Sequence, residues 1–184
     1  ERASFRAKPA APAAVVDSRV ASFVSEADKA LLVGNLEQAK DLLTKANQIA
    51  EGDERARVLA VDLAAVQAEV EWLRFRIAKE AAPGDLEGAR RALEANAAEA
   101  NRLADAAHAA DKSDADLIRS KAVALFTSGD RENARRWMQR VGTTVAPENA
   151  YVLAMLDMSE DTPLWAPVID RLKSASATIE RARA

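Results

Sequence analysis

A seven-residue phrase that occurs three times restricts the folds open to this chain more than any other feature. The copies begin at Gly34, Gly84 and Gly129 and share the pattern Gly-[Asn/Asp]-x-Glu-x-Ala-[Lys/Arg]. Glycine can adopt a positive φ and end one helix, and the Asn or Asp can accept from the free N–H groups that open the next. The Glu falls in the first turn, where the helix dipole favours negative charge. The phrase therefore predicts helix, sharp turn, helix.

The segments between these turns are typical of helices. Aromatic residues make up only 4% of the 184-residue chain, and Ala, Leu, Glu and Arg, which form helices readily, dominate it. No alternating run of β-branched residues predicts a strand. We expect an all-α fold of about eight helices. Six of them are expected at about 17–33, 36–50, 53–81, 85–110, 113–127 and 131–141. A loop is expected at 143–147, after which a seventh helix ends near 158 and an eighth begins at Pro163.

The third and fourth helices are predicted to form a long antiparallel hairpin. Apolar residues in the third are spaced 4, 3, 4, 3 and 4 apart, which is a heptad pattern: Leu59, Leu63, Val66, Val70, Leu73 and Ile77. Pro83-Gly84 ends this helix, and at about 1.5 Å per residue the hairpin should be roughly 40 Å long. Dimerisation of the long helices as a coiled coil is the competing interpretation.

At these positions the chain resembles the tetratricopeptide repeat family, whose helix pairs carry small residues, a Gly at the turn and an Ala early in the second helix. The first match comprises Phe23, Ala27, Ala30, Gly34, Ala39, Leu43 and Ala46. The later match comprises Ile118, Ala122, Leu125, Gly129, Ala134, Met138 and Val141.

The resemblance implies a right-handed α-solenoid of antiparallel helix pairs. Its repeats would span about 17–52, 53–111, 113–146 and 147–183. Residues 1–16 contain two prolines and no helical stripe, so a linker or disordered tail is expected there. The spacing of 50 residues from Gly34 to Gly84 exceeds the family's 34, so the second repeat is elongated.

Catalytic chemistry finds little support in the sequence. The chain has no Cys and a single His, His108, so a metal site is not expected. No motif for a nucleophilic serine or a phosphate-binding loop occurs. We therefore expect no enzyme activity and no cofactor. No apolar run is long enough to cross a membrane, and a cytoplasmic location is favoured.

The resemblance places ligands on the inner face, which the first helix of each pair lines. The candidate partner-binding residues are Asp28, Arg74, Phe75, Arg119, Phe126 and Asp157. Arg74 and Arg119 would be the inner cations of a mixed-charge groove that suits a peptide. The leading hypothesis is a protein–protein interaction scaffold within a larger protein.

Two other functions stay open. The chain could be a structural spacer or dimerisation module that self-associates through its long helices. It could also bind nucleic acid through Arg90-Arg91 and Arg135-Arg136, although the net charge of −3 makes this interpretation weaker. Tryptophans Trp72, Trp137 and Trp165 are expected in the core, because each carries a large apolar area.

Overall fold

The computed structural model describes residues 18–80, 85–110, 113–141, 147–160 and 162–183, of which 110 and 177–183 are described by backbone alone. Within these ranges the chain is all-α, with eight helices and no strand. The predicted fold class is therefore confirmed in its helical content. The predicted tail at 1–16 and the turn at Pro83-Gly84 lie outside the described residues.

The helix bounds follow the predicted breaks closely. The helices are α1 Ser18–Leu32, α2 Leu36–Ile49, α3 Glu54–Glu80, α4 Leu86–Ala110, α5 Ala115–Thr127, α6 Arg131–Arg140, α7 Pro147–Met158 and α8 Trp165–Arg183. The two prolines behave differently from the prediction. Pro147 opens α7 instead of lying in the preceding loop, whereas Pro163 precedes α8 and Trp165 begins it. Proline suits the first position of α7 because the N–H that it lacks has no partner within the helix.

Two copies of the repeated phrase build the same turn. Gly34 has a φ of 77°, and the next amide, Asn35 N–H, donates to the carbonyl of Ala30 at 2.8 Å. Gly129 has a φ of 92°, and Asp130 N–H donates to the carbonyl of Leu125 at 2.9 Å. This six-to-one hydrogen bond after a left-handed glycine is a Schellman motif. The shared sequence therefore encodes a shared geometry.

The second residue of each phrase caps the following helix, as predicted. Asn35 accepts from the backbone N–H of Gln38, and Asp130 accepts from that of Asn133. In the middle copy, Asp85 accepts from Gly88 N–H at 2.7 Å. Each acceptor satisfies one of the amides left open at a helix start.

The helices form two layers. Each helix packs against the helix that follows it in the chain. In addition, α1 packs on α3, α3 on α5, and α5 on α7. The even-numbered helices make no such contacts with one another within the described residues. The odd-numbered helices therefore form a continuous inner layer, and α2, α4 and α6 lie outside it, as in the helix pairs that the resemblance implies. The right-handed sense of the solenoid and the repeat boundaries stay predictions.

Alanine lets the long hairpin pack closely. Ala64 and Ala68 of α3 meet Ala97 and Ala100 of α4, and Ala124 of α5 joins them in one buried cluster. Helices with such short side chains at their contact can approach closely.

The predicted heptad seam is wrong in its second half. Leu59 and Leu63 are buried, but Leu73 and Ile77 are 45% and 65% exposed. They lie on the side of α3 away from its alanine seam. Helix α5, which ends at Thr127, packs on α3 up to Trp72. None of the described helices combines the length and the apolar character that crossing a membrane requires.

Candidate functional site

A groove of about 1080 Å³ runs along the inner layer. One face of each odd-numbered helix lines it, and part of α8 closes one side. The contributions recur at helical spacing: 28, 31 and 32 from α1; 59, 62, 65, 66 and 69 from α3; 115, 116, 119, 120 and 123 from α5; 147–149, 151 and 152 from α7; and 172, 175 and 176 from α8. The repeated stacking of helix pairs therefore produces one surface that no single pair could form.

Apolar side chains form much of the groove. Val123 and Val152 are buried in the cluster that joins α5 to α7. Leu31 and Val66 are partly buried, and Leu32 is exposed at the end of α1. A concave surface of this kind can accept apolar side chains of another polypeptide.

Two hydrogen bonds tie the inner layer together within the groove. The Ser120 hydroxyl on α5 donates to Asp62 on α3, and the Tyr151 hydroxyl on α7 donates to Glu69, also on α3. Asp62 and Glu69 are seven residues apart, so both lie on the same face of their helix. This face of α3 is thus hydrogen-bonded to both α5 and α7.

Burial perturbs both carboxyl groups. It raises the pKa of Asp62 from 3.8 to about 6, although the hydrogen bond from Ser120 and the charge of Arg119 act in the opposite direction. Burial likewise raises the pKa of Glu69, against the hydrogen bond from Tyr151. Burial also raises the pKa of the Tyr151 hydroxyl above its usual range. Both carboxylates are therefore poorly solvated anions that receive hydroxyl donors but form no ion pair within the described residues.

Negative charge predominates among the lining residues. They include five carboxylates, Asp28, Asp62, Glu69, Asp116 and Glu148, against one cation, Arg119. Arg119 donates to Asp116 at 2.7 Å, so its charge is already engaged. A second hollow of about 560 Å³ shares Asp28, Asp62 and Asp116 with the groove and adds two carboxylates, Glu54 and Asp114, and one cation, Arg55. The predicted mixed-charge groove is thus an acidic one.

Two of the six predicted partner-binding residues line this groove. Asp28 is exposed on α1, and Arg119 is partly buried on α5. Arg74 lies farther along α3, is exposed, and donates to Glu71 at 2.5 Å. It lines neither the groove nor the smaller hollow beside it.

The other three predicted residues lie outside this groove, each in a different environment. Phe126 is only 4% exposed and packs against the Trp72 ring at 4.9 Å between centroids, so it belongs to the core. Phe75 borders a separate hollow of about 940 Å³ near the α5–α6 turn. Asp157 accepts from Arg135 at 2.8 Å and also from Arg171, which joins α6, α7 and α8.

Sequence reasoning missed Asp62, Glu69, Tyr151 and Leu172 as lining residues. For α3 it selected the segment around Arg74 and Phe75, whereas the contacts of α5 with α3 run from Val61 to Trp72. The spacing of Asp62, Val66 and Glu69, at i, i+4 and i+7, was the available signal, because it places two acids and an apolar residue on one face.

The three tryptophans differ in environment. Trp72 and Trp137 are half-buried, as expected of core residues, but Trp165 is 56% exposed, so its predicted burial is wrong. The rings of Trp137 and His108 form a T-shaped pair with centroids 4.6 Å apart, and the Arg140 guanidinium lies 4.3 Å from the centre of the Trp137 ring.

The basic pairs proposed for nucleic acid are engaged with carboxylates. Arg90 contacts Glu87 and Glu94, and Arg91 contacts Glu87. In the second pair, the partners of Arg135 are Asp157 and Glu160, and the partner of Arg136 is Glu132. These ion pairs leave less positive charge for a phosphate backbone.

No group of three or more metal-ligating side chains lies together in the part of the chain that the structure describes. No protein-family model matches the sequence, and no curated protein matches it. Comparison with solved structures finds "MamA RS-1 ArsTM double mutant", which is 14% identical, with 92% of this chain and 98% of that chain covered and a TM-score of 0.39. At that TM-score the similarity carries no argument about this chain, and the groove must be interpreted from its own residues.

Proposed function

We propose that this chain is a non-enzymatic scaffold that holds a segment of another protein in the groove of its inner layer. The observation that supports this most strongly is the continuity of the groove across α1, α3, α5, α7 and α8. A volume of about 1080 Å³ slightly exceeds that of typical small-molecule pockets, and a lining drawn from five helices suits a polypeptide segment.

A library of displayed random peptides tests this proposal. Wild-type protein and a groove-blocked variant, Ser176→Trp, would be immobilised in parallel. Ser176 is exposed on α8 and lines the groove, so an indole there would occupy the space without adding charge. We expect wild-type protein to enrich peptides that the variant does not retain. Peptides that bind both proteins equally would contradict the assignment of the groove.

A variant on the outer layer provides the control. Gln38 is exposed on α2, and α2 contributes nothing to the groove lining, so Gln38→Trp adds the same indole elsewhere. It should retain the peptides that Ser176→Trp loses. Circular dichroism of both variants would verify that each keeps its helical content.

Dimerisation through the long hairpin is the second candidate, and one observation favours it. Leu73, Ile77 and Leu86 are all more than 40% exposed near the end of the α3–α4 hairpin. Sedimentation equilibrium of wild-type protein and Leu73→Glu/Ile77→Glu tests this candidate. A wild-type dimer that the double substitution dissociates would support it, and a monomer at the highest concentration reached would contradict it.

A further inference from the structure

The groove has a chemical character that its function as a docking site does not by itself require. The lining carries five negative charges and one positive charge, whereas the whole chain has a net charge of only −3. Negative charge is therefore concentrated on the inner layer. This reasoning rests on the proposed function, since it identifies the kind of segment that the groove would hold.

The charges and the apolar surface alternate along the groove. On α3, Val66 lies between Asp62 and Glu69 on one face, and on α7, Val152 neighbours Tyr151 and follows Glu148 by one turn. Apolar side chains of a bound segment would thus lie within reach of carboxylates on both sides.

Several of these carboxylates remain available. Asp28 and Glu148 are exposed, and neither forms an ion pair within the described residues. Asp62 and Glu69 receive only hydroxyl hydrogen bonds. A carboxylate that has lost part of its solvation gains more from an approaching cation than one that is fully hydrated.

We propose that the groove binds an amphipathic polypeptide segment that presents aliphatic side chains together with flanking lysines or arginines. The aliphatic side chains lie against Leu31, Val66 and Leu172, and the cationic side chains reach the carboxylates of α1, α3 and α7. An acidic segment is rejected, because its carboxylates would face Asp28, Asp62 and Glu148 without compensation.

Two synthetic peptides test the proposal directly. Both carry leucine at helical spacing, i, i+3, i+4 and i+7, and they differ only in the polar positions, which are lysine in one and glutamate in the other. Fluorescence anisotropy of labelled peptide gives the Kd of each at low and high salt. We expect the lysine peptide to bind, to weaken as salt rises, and to bind at least about ten-fold more tightly than the glutamate peptide.

Matched charge-neutralised variants separate the groove from the general negative charge. Asp28→Asn/Glu148→Gln removes two groove carboxylates, whereas Glu37→Gln/Asp41→Asn removes two exposed carboxylates of α2. The two proteins have the same net charge. We expect the first variant to weaken the lysine peptide about ten-fold and the second to change its Kd less than about two-fold. Equal effects would mean attraction to the acidic surface as a whole and would overturn the proposal.

The blocked variant distinguishes the two possible failures. If the glutamate peptide binds as tightly as the lysine peptide and Ser176→Trp abolishes both, the groove is a docking site but its inferred preference for cations is wrong. If Ser176→Trp alters neither affinity, the groove is not the docking site, and the proposed function fails with the inference.

Discussion

Replacing Asp62 with asparagine should stabilise the protein at neutral pH. The carboxyl group is partly buried at the α3–α5 contact, and burial raises its pKa from 3.8 to about 6. The native state thus binds this proton more tightly than the unfolded chain does. The stability that protonation contributes is complete below about pH 3.8, falls as pH rises towards 6, and is absent above that pH.

The size of the pKa shift of Asp62 sets the expected change in unfolding free energy. At about 1.4 kcal/mol per pKa unit, a rise from 3.8 to about 6 corresponds to at most about 3 kcal/mol between acidic and neutral pH. The asparagine introduced by Asp62→Asn would carry no charge at either pH, and its side-chain oxygen could still accept from Ser120. We therefore expect the unfolding free energy of the variant, relative to that of wild type, to rise by about 1–3 kcal/mol as the pH increases from 4 to 8.

Urea unfolding of both proteins, followed by circular dichroism across this pH range, provides the measurement. The difference in unfolding free energy between the two proteins isolates Asp62 from other titrating groups. Asp28→Asn serves as the control, because it makes the same carboxylate-to-amide change at a residue that is exposed on α1, where removing the charge relieves no burial cost and should bring no comparable gain in stability. A difference between wild type and Asp62→Asn that is independent of pH would refute the reasoning, as would a variant that is less stable at pH 8.

Three further substitutions test other parts of the account by the same unfolding assay. Gly129→Ala should cost about 1 kcal/mol or more, because its φ of 92° strains any residue with a Cβ, and no neighbouring atom lies within 4 Å of the added carbon, so backbone strain alone accounts for the cost. Phe126→Ala should cost about 3–4 kcal/mol through the cavity left beside Trp72, and a cost below about 1 kcal/mol would place Phe126 at the surface instead. Asp157→Asn should cost about 1 kcal/mol through its weakened bonds to two arginines and should leave peptide affinity unchanged.

The turns could be predicted from sequence because their physics is local. A glycine that needs a positive φ and an Asn or Asp that caps the next helix act within six residues, so Gly34 and Gly129 reveal their geometry without any knowledge of the fold. The resemblance to a repeat family then implied which helices pair.

The groove could be predicted only in outline, because its position depends on the register between helices far apart in sequence. α3 has 27 residues and α5 has 13, and the sequence does not state which part of α3 meets the shorter helix. The choice of the segment around Arg74 and Phe75 placed these two residues in the groove and omitted Asp62 and Glu69. A contact such as Ser120 with Asp62, 58 residues apart, carries no local signal.

The heptad interpretation failed for a related reason. Leu73 and Ile77 continue an apolar spacing that begins with buried residues, but the partner that covers the start of α3 does not extend to its end. On α3, Ala64 and Ala68 form the seam against α4 instead.

The claim that the inner layer holds a partner segment is tested most directly by hydrogen–deuterium exchange with and without the bound lysine peptide. With the lysine peptide bound, we predict slower exchange in the proteolytic fragments of the protein that cover α1, α3, α5 and α7. The protection should be centred on the segments around Asp28, Asp62–Glu69 and Glu148–Val152. Protection confined to α2, α4 or α6 would contradict the account, because it would place the bound segment on the outer layer.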